Sequence, residues 1–225
     1  MKAGVLVFPG SNCDRDLVVA LKASGFKVEM IWHKQNELPK LDLVCVPGGF
    51  SYGDYLRCGA ISAHSNIMKE VKKFADNGGY VLGICNGFQI LTEAGLLPGV
   101  LMRNKNLKFI CKEVYLRPEN NDAVFIRKYK PEKPLKISIA HHDGNYFVTD
   151  DELKALNDNN QIAFKYCNVS GDVSDASNPN GSVANIAGVY NKNKNVLGLM
   201  PHPERHCDAY TGGIDGKIIF QSILG

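Results

Sequence analysis

No apolar run in the 225-residue chain approaches the ~18 residues that a membrane-spanning helix needs. The formal net charge of +3 is too small to point to nucleic acid or a lipid surface as partner. No C-x-x-C pair occurs, and the seven cysteines (Cys13, Cys45, Cys58, Cys85, Cys111, Cys167 and Cys207) are odd in number and scattered. That pattern argues against a disulfide framework or a structural zinc site and for a reducing cytoplasm, with most of the thiols serving as small buried hydrophobes. No His/Cys/Asp/Glu group has metal-ligand spacing. There is no G-x-x-x-x-G-K-[ST] phosphate loop and no internal repeat. The opening stretch "MKAGVLVFPGSN" carries one basic residue and a short apolar run ending at Pro9, so it reads as a first strand and not as a signal peptide.

What remains is ordinary in composition, 44% hydrophobic and 22% charged, and long enough for one large domain or a domain with an insertion. The expectation is a single domain over 1–225. Its first half alternates strand and helix: strands at 2–8, 27–32, 41–46 and 80–84, helices at 14–24 and 60–75. Short apolar strands alternating with helices predict a parallel sheet covered on both faces, with function gathered at the carboxyl ends of the strands. The second half, from 101 to about 187, reads as strand-rich, including "KFICKEVYL", "AVFIRKY", "KISIAHH" and "QIAFKYC". "NIAGVYNKNKNVLGLM" reads as two strands joined by an Asn/Lys turn, and "DGKIIFQSIL" as a closing helix. The fold class expected is α/β: a flavodoxin-like three-layer fold with a mostly parallel central sheet and a mixed or antiparallel β extension. Segment 101–136 holds ten Lys/Arg against four Asp/Glu. A solvated face is the ordinary reading of such a run, and a docking face for an acidic partner is the functional one.

One stretch breaks the ordinary pattern. In "YVLGICNGFQIL" (80–91) a cysteine stands between two glycines where a buried strand gives way to a helix. Gly83 and Gly87 remove side chains that would crowd a tight turn at Cys85, which is the geometry of a nucleophile elbow. A cysteine nucleophile acts as its thiolate, which helix N-termini and neighbouring histidines favour. "LGLMPHPERH" offers the base: His202 and Glu204, two apart in an extended segment, project to one side, so Glu204 can hold one imidazole nitrogen while the other faces the thiol. "PGGF" at 47–50 ends the third strand at the same sheet edge, and Gly49 with Asn86 is the expected pair of oxyanion donors. Each part alone has an ordinary structural reading; the three together are far more selective. His33 and His64 sit in unremarkable local patterns. His141 and His142, beside Gly144, either line a pocket or form a plain strand-end turn.

The order GGF, GICNG, HPE resembles the class I, triad-type glutamine amidotransferases. "FPGSNCDRD" (8–16), "PGGFSYGDYLRCGA" (47–60), "GICNGFQIL" (83–91), "NPNGSVANIAG" (178–188) and "GLMPHPER" (198–205) extend the likeness to the glutaminase subunits of phosphoribosylformylglycinamidine synthases. The resemblance implies Cys85 as nucleophile, His202 as base and later acid, and Glu204 as the residue that orients His202. It also implies Gly49, Phe50 and Asn86 around the amide oxygen, and Gln89, His141 and Gly144 on the substrate glutamine. Two departures stand out: the family usually has A-H-G-E-G where this chain has His142 and Asp143, and Ala where it has Cys58. The implied partners are L-glutamine, a large formylglycinamide ribonucleotide synthetase subunit and a small third subunit, with no cofactor on this chain and ATP and Mg on the synthetase. The competing readings are a stand-alone cysteine hydrolase or a glutaminase of another pathway on the same fold, and a flavodoxin-like redox or ligand-binding module.

Overall fold

Short runs of aliphatic residues such as "LVCV" and "VLGL" are buried on every side, as strands sandwiched between helices must be. In the computed structural model, which describes residues 1–119, 122–130, 133–210 and 212–225, they form the middle of a nine-stranded sheet. The elements follow as β1 (Lys2–Val7), α1 (Asp14–Ala23), β2 (Lys27–Trp32), β3 (Leu43–Val46), α2 (Ala60–Ala63), α3 (Asn66–Asp76), β4 (Tyr80–Ile84) and α4 (Asn86–Glu93). The second half adds β5 (Val100–Met102), β6 (Ile110–Pro118), β7 (Leu135–His141), β8 (Asn145–Phe147), α5 (Asp150–Asp158), β9 (Ile162–Cys167), β10 (Ile186–Tyr190), β11 (Val196–Leu199) and α6 (Lys217–Leu224).

The strand order is β2-β1-β3-β4-β11-β10-β9-β6-β7, with β5 and β8 in a separate two-stranded ribbon. The first five strands are mutually parallel, and every pairing from β11 to β7 is antiparallel. This is the α/β architecture with an antiparallel extension that the alternation pattern implied. The chain leaves β1 toward β2 and leaves β3 in the opposite direction toward β4, so right-handed crossovers put α1 and α3 on opposite faces. That reversal is a topological switch point, where parallel sheets open a crevice at the strands' carboxyl ends.

The extension does not lie flat. β7 is four strands removed from β11, about 19 Å in a flat sheet, yet the His202 N–H that follows β11 donates to the Ser138 carbonyl of β7 at 2.8 Å. The antiparallel half therefore curls back and covers the carboxyl ends of the parallel half.

Three local expectations are corrected. The helix expected over 60–75 is two helices, because Ser65 takes extended backbone (φ −64°, ψ 154°) as the N-cap of α3. "AVFIRKY" is not a strand: successive turns (Ile126 N–H to Ala123 O, Tyr129 N–H to Ile126 O) bury Ala123, Phe125 and Ile126, and Arg127 caps the end of α6 through the Ser222 carbonyl. The region read as strand-rich also contains α5, whose start is a full capping box, Thr149 with Glu152. Among the described residues, no helix is long and apolar enough to cross a membrane.

Candidate active site

The buried run Tyr80–Ile84 ends in a residue that is forced out of ordinary backbone space. Cys85 has φ 52° and ψ −108°, a conformation that costs a non-glycine residue about 1–3 kcal/mol. The surroundings enforce it. The Cys85 N–H donates to Leu199 O of β11 at 2.8 Å, and α4 starts at once at Asn86. Gly87 lets that helix press against the end of β3, where any Cβ would stand 1.9 Å from the Val46 carbonyl oxygen. The thiol is thereby lifted to the N-terminus of α4, where unsatisfied backbone N–H groups meet.

β11 delivers the second component. After Met200 the chain enters a short 3-10 turn, Pro203–Arg205, with His202 as its N-cap residue. The backbone of His202 is fixed by Ser138 of β7, whose own N–H donates to His206 Nε2 at 2.9 Å. Inside the turn, His202 Nδ1 meets Glu204 Oε1 at 2.6 Å, with the imidazole 1% and the glutamate 6% exposed. Burial by itself would lower the pKa of His202. The Glu204 carboxylate and the Cys85 sulfur outweigh it and hold the imidazolium well above its ordinary range. His202 Nε2 is buried without a hydrogen-bond partner, on the side of the ring away from Glu204. Gly48 makes room for this meeting: a Cβ there would lie 2.8 Å from His202 Cε1 and 3.3 Å from both Cys85 Cβ and Cys13 Sγ.

The structure thus brings Cys85, His202 and Glu204 together, and it places Gly49 and Phe50 beside them along one cavity of about 230 Å³ shared with Cys13 and Arg205. The Phe50 N–H is given to the Gly10 carbonyl at 3.0 Å. The other candidates behave less simply. The side chain of Asn86 is internal, accepting from Ser51 N–H (3.1 Å) and donating to Asp54 Oδ1 (3.2 Å) and Gln89 Oε1 (2.8 Å). Gln89 donates in turn to the Asp143 carbonyl at 2.7 Å. His141 commits its ring to Asn104 Oδ1 at 3.0 Å, under the Gly144 backbone. Burial, with His202 nearby, pushes its pKa down to about 4.

Five residues of this region were given no individual role by their sequence pattern. Asp54 and Asp143 line the mouth of the site together with Cys58 and Arg103. Burial raises the Asp54 carboxyl, and the Asp143 carboxylate adds to the rise. Burial, with both carboxylates beside it, keeps the Cys58 thiol protonated. Cys13 lies against His202 itself. The available signal was position: "SNCD" and "SYGDY" both follow strands of the parallel half. Between the mouth and Cys85, loops 49–58 and 140–143 leave a pocket of only about 20 Å³, room for about one water.

Residues 1–214 match the CobB/CobQ-like glutamine amidotransferase domain. The chain is 58% identical over 224 residues to the phosphoribosylformylglycinamidine synthase subunit PurQ of Pelagibacter ubique (strain HTCC1062), covering 100% of this chain and 98% of that protein. It is 54% identical over 226 residues to the subunit of the same name from Ruegeria sp. (strain TM1040), with the same coverage. In three dimensions it is similar to a chain of the PurLQS structure from Thermotoga maritima, with a TM-score of 0.87, 46% identity, and coverage of 99% of this chain and 97% of that one.

Proposed function

The chain belongs to the CobB/CobQ-like glutamine amidotransferase family, and from that premise we propose that Cys85, His202 and Glu204 hydrolyse L-glutamine at the elbow between β4 and α4. The protein is a glutamine amidotransferase, the glutaminase subunit of a phosphoribosylformylglycinamidine synthase of purine biosynthesis, working in a complex with a synthetase subunit. The single observation that carries the residue assignment is the His202–Glu204 contact of 2.6 Å, which leaves Nε2 buried and without a partner in a ring packed with Cys85 around Gly48.

In this reading the Cys85 thiolate attacks the side-chain carbonyl carbon of glutamine. The N–H groups of Gly49 and Asn86 receive the oxyanion; Phe50, whose N–H serves Gly10, shapes the wall. His202 hands its proton to the departing nitrogen, which leaves as ammonia and a γ-glutamyl thioester on Cys85. The same imidazole then takes a proton from water, which attacks the thioester and releases glutamate. Glu204 holds the ring in the tautomer and orientation that both steps use. Asp54 and Asp143 present negative charge for the α-ammonium group of glutamine, and Arg103, 3.9 Å from Asp143, presents positive charge for its α-carboxylate. Asn86 and Gln89 brace the two loops that form the pocket, and His141 and Gly144 form the floor beneath 141–144.

A single domain spans 1–225 in this reading, the chain carries no cofactor, ATP and Mg act on the synthetase, a small third subunit completes the assembly, and the complex works in the cytoplasm. In this reading docking of the synthetase widens the gap of about 20 Å³ that separates the mouth from Cys85, so that the mouth joins the cavity of about 230 Å³ on the His202 side of the thiol. Unassembled chain therefore turns glutamine over slowly. The test is peptide mapping after exposure to a glutamine-shaped diazoketone, alone and with the synthetase. Glutamine-protected labelling of Cys85 alone, faster in the complex, is the expected result. Labelling that spreads over several cysteines in the assembled complex, or ignores glutamine there, overturns the site.

A further inference from the structure

A second thiol is packed against the catalytic histidine, and the glutaminase reaction gives it nothing to do. Cys13 Sγ, a ring nitrogen of His202 and a carboxylate oxygen of Glu204 all lie within 4.8 Å of one another, and all three residues are buried. Gly48 has no side chain, and the point its Cβ would occupy lies 2.8 Å from His202 Cε1 and 3.3 Å from both Cys13 Sγ and Cys85 Cβ, so the three residues surround one spot. His202 Nε2 and Glu204 Oε2 are both buried and without hydrogen-bond partners. His202 Nδ1 is committed to Glu204 at 2.6 Å, leaving Nε2 as the available lone pair once the ring is neutral.

A histidine whose outer N–H is held by a buried carboxylate is the arrangement that orients imidazole as a metal ligand. Two thiols and an imidazole nitrogen are soft to borderline donors, suited to zinc-like cations and unsuited to magnesium or calcium. We propose that Cys13, Cys85 and His202 Nε2 form a binding site for a thiophilic divalent cation of the Zn²⁺ class, and that its occupancy shuts off glutamine hydrolysis. On binding, two sulfur–metal bonds form as two thiol protons pass to solvent, the Nε2 lone pair supplies a third bond, and water fills the fourth position. A ring that enters as imidazolium releases one further proton. No electron is transferred. Cys85 joins by turning its sulfur from the Ala140 carbonyl, now 3.7 Å away, toward His202. The metal then occupies the nucleophile and the base at once.

Arg205 opposes the cation. Its guanidinium donates to Cys13 Sγ at 3.2 Å and reaches Asp16 at 3.3 Å, with the arginine side chain 37% exposed. It yields by turning outward onto Asp16. The inhibition half of the proposal rests on the glutaminase reading, whereas the binding half does not, and the experiment separates them.

The reduced full-length chain is titrated with Co²⁺, and the thiolate-to-cobalt charge-transfer absorption is followed. One equivalent is expected to produce the band, and Zn²⁺ is expected to displace it. Cys13→Ser, and Cys13→Ala in case serine disturbs the packing, should each weaken binding at least about tenfold, the scale on which even outer-sphere partners of a metal act; Cys207→Ser should leave it unchanged. In the assembled complex, Zn²⁺ should inhibit glutamine-dependent turnover reversibly by chelator. With each rate taken relative to that variant's own Zn²⁺-free rate, Cys13→Ser should shift the inhibition midpoint upward by the same factor, and Arg205→Gln should shift it downward. Absence of the thiolate band, or equal Zn²⁺ sensitivity in wild type and both Cys13 variants, overturns the proposal. A thiolate band together with no glutamine-protected labelling of Cys85 in the assembled complex would retain the metal site and sink the assignment of Cys85 as the glutaminase nucleophile.

Discussion

The two ends of the site are built on opposite principles. At the nucleophile end, Cys85, His202 and Glu204 are each at most 6% exposed and are fixed by backbone: a strained φ/ψ at the elbow, the His202 N–H bonded to the Ser138 carbonyl of β7, a 3-10 turn. At the mouth, the side chains of Arg57, Leu56 and Tyr55 stand in solvent, and the carboxylates of Asp54 and Asp143 face one another across a loop in which Tyr52, Asp54 and Leu56 all take positive φ. The three side chains of the proposed triad are already in place, and the gap between them and the mouth is still narrow. Preorganised charge in a dry site strengthens transition-state contacts. A charged, open mouth is suited to recognising a zwitterion and to being rearranged by a partner.

Breaking the rigid end has the largest expected effect. Glu204→Gln retains the volume and a hydrogen bond but removes the charge and can fix the wrong tautomer of His202. In the assembled complex kcat should fall by about 10²- to 10⁴-fold, the upper figure being that known for an equivalent change in a serine triad. Because Glu204 is what lifts the His202 pKa against burial, the limb of the pH–rate profile that reports His202 should move to lower pH. A rate loss without that shift would mean Glu204 only packs the turn.

Much of the rigid end was legible in the sequence, because it is local. G-x-C-x-G at a strand-to-helix junction and H-P-E after a strand state their own geometry within a few residues. What was not legible depends on segments far apart in sequence. His141 carries a histidine's usual signal for a substrate contact, yet Asn104 draws its ring into the floor. Gln89, a candidate glutamine contact, meets the Asp143 carbonyl, which only the curl of the antiparallel half brings near. Cys13 looked like a packing thiol because nothing within ten residues hints that His202 is its neighbour. The break at Ser65 and the helix behind Thr149 were written in capping residues, but apolar periodicity hid the first and the strand-rich surroundings hid the second.

His141 sharpens the comparison in energetic terms, since it is as buried as the residues of the rigid end. Its pKa is about 4 in the folded chain against an ordinary 6.5. Between those values the unfolded chain binds a proton that the folded chain refuses, so stability is lost as pH falls from about 6.5 toward about 4. The shift corresponds to about 3 kcal/mol across the window. His141→Gln should flatten that part of the curve of unfolding free energy against pH, measured by urea denaturation, whatever it does to stability at neutral pH. An unchanged slope in the variant would show that the ring titrates freely.

The smallest effect belongs to the mouth, and its form matters more than its size. Asp54→Asn keeps the hydrogen bond to Asn86 Nδ2, observed at 3.2 Å, and removes one of the two facing carboxylates. If those carboxylates receive the α-ammonium of glutamine, the loss of one charge at a solvent-screened site costs about 1 kcal/mol, the scale of an exposed ion pair. KM for glutamine should then rise about fivefold with kcat nearly unchanged, the pattern of an interaction made equally in ground and transition states. A fall in kcat at constant KM would instead tie Asp54, through Asn86 and the start of α4, to the oxyanion donors, and the boundary between a rigid nucleophile end and an adaptable mouth would have to be redrawn on the far side of Asn86.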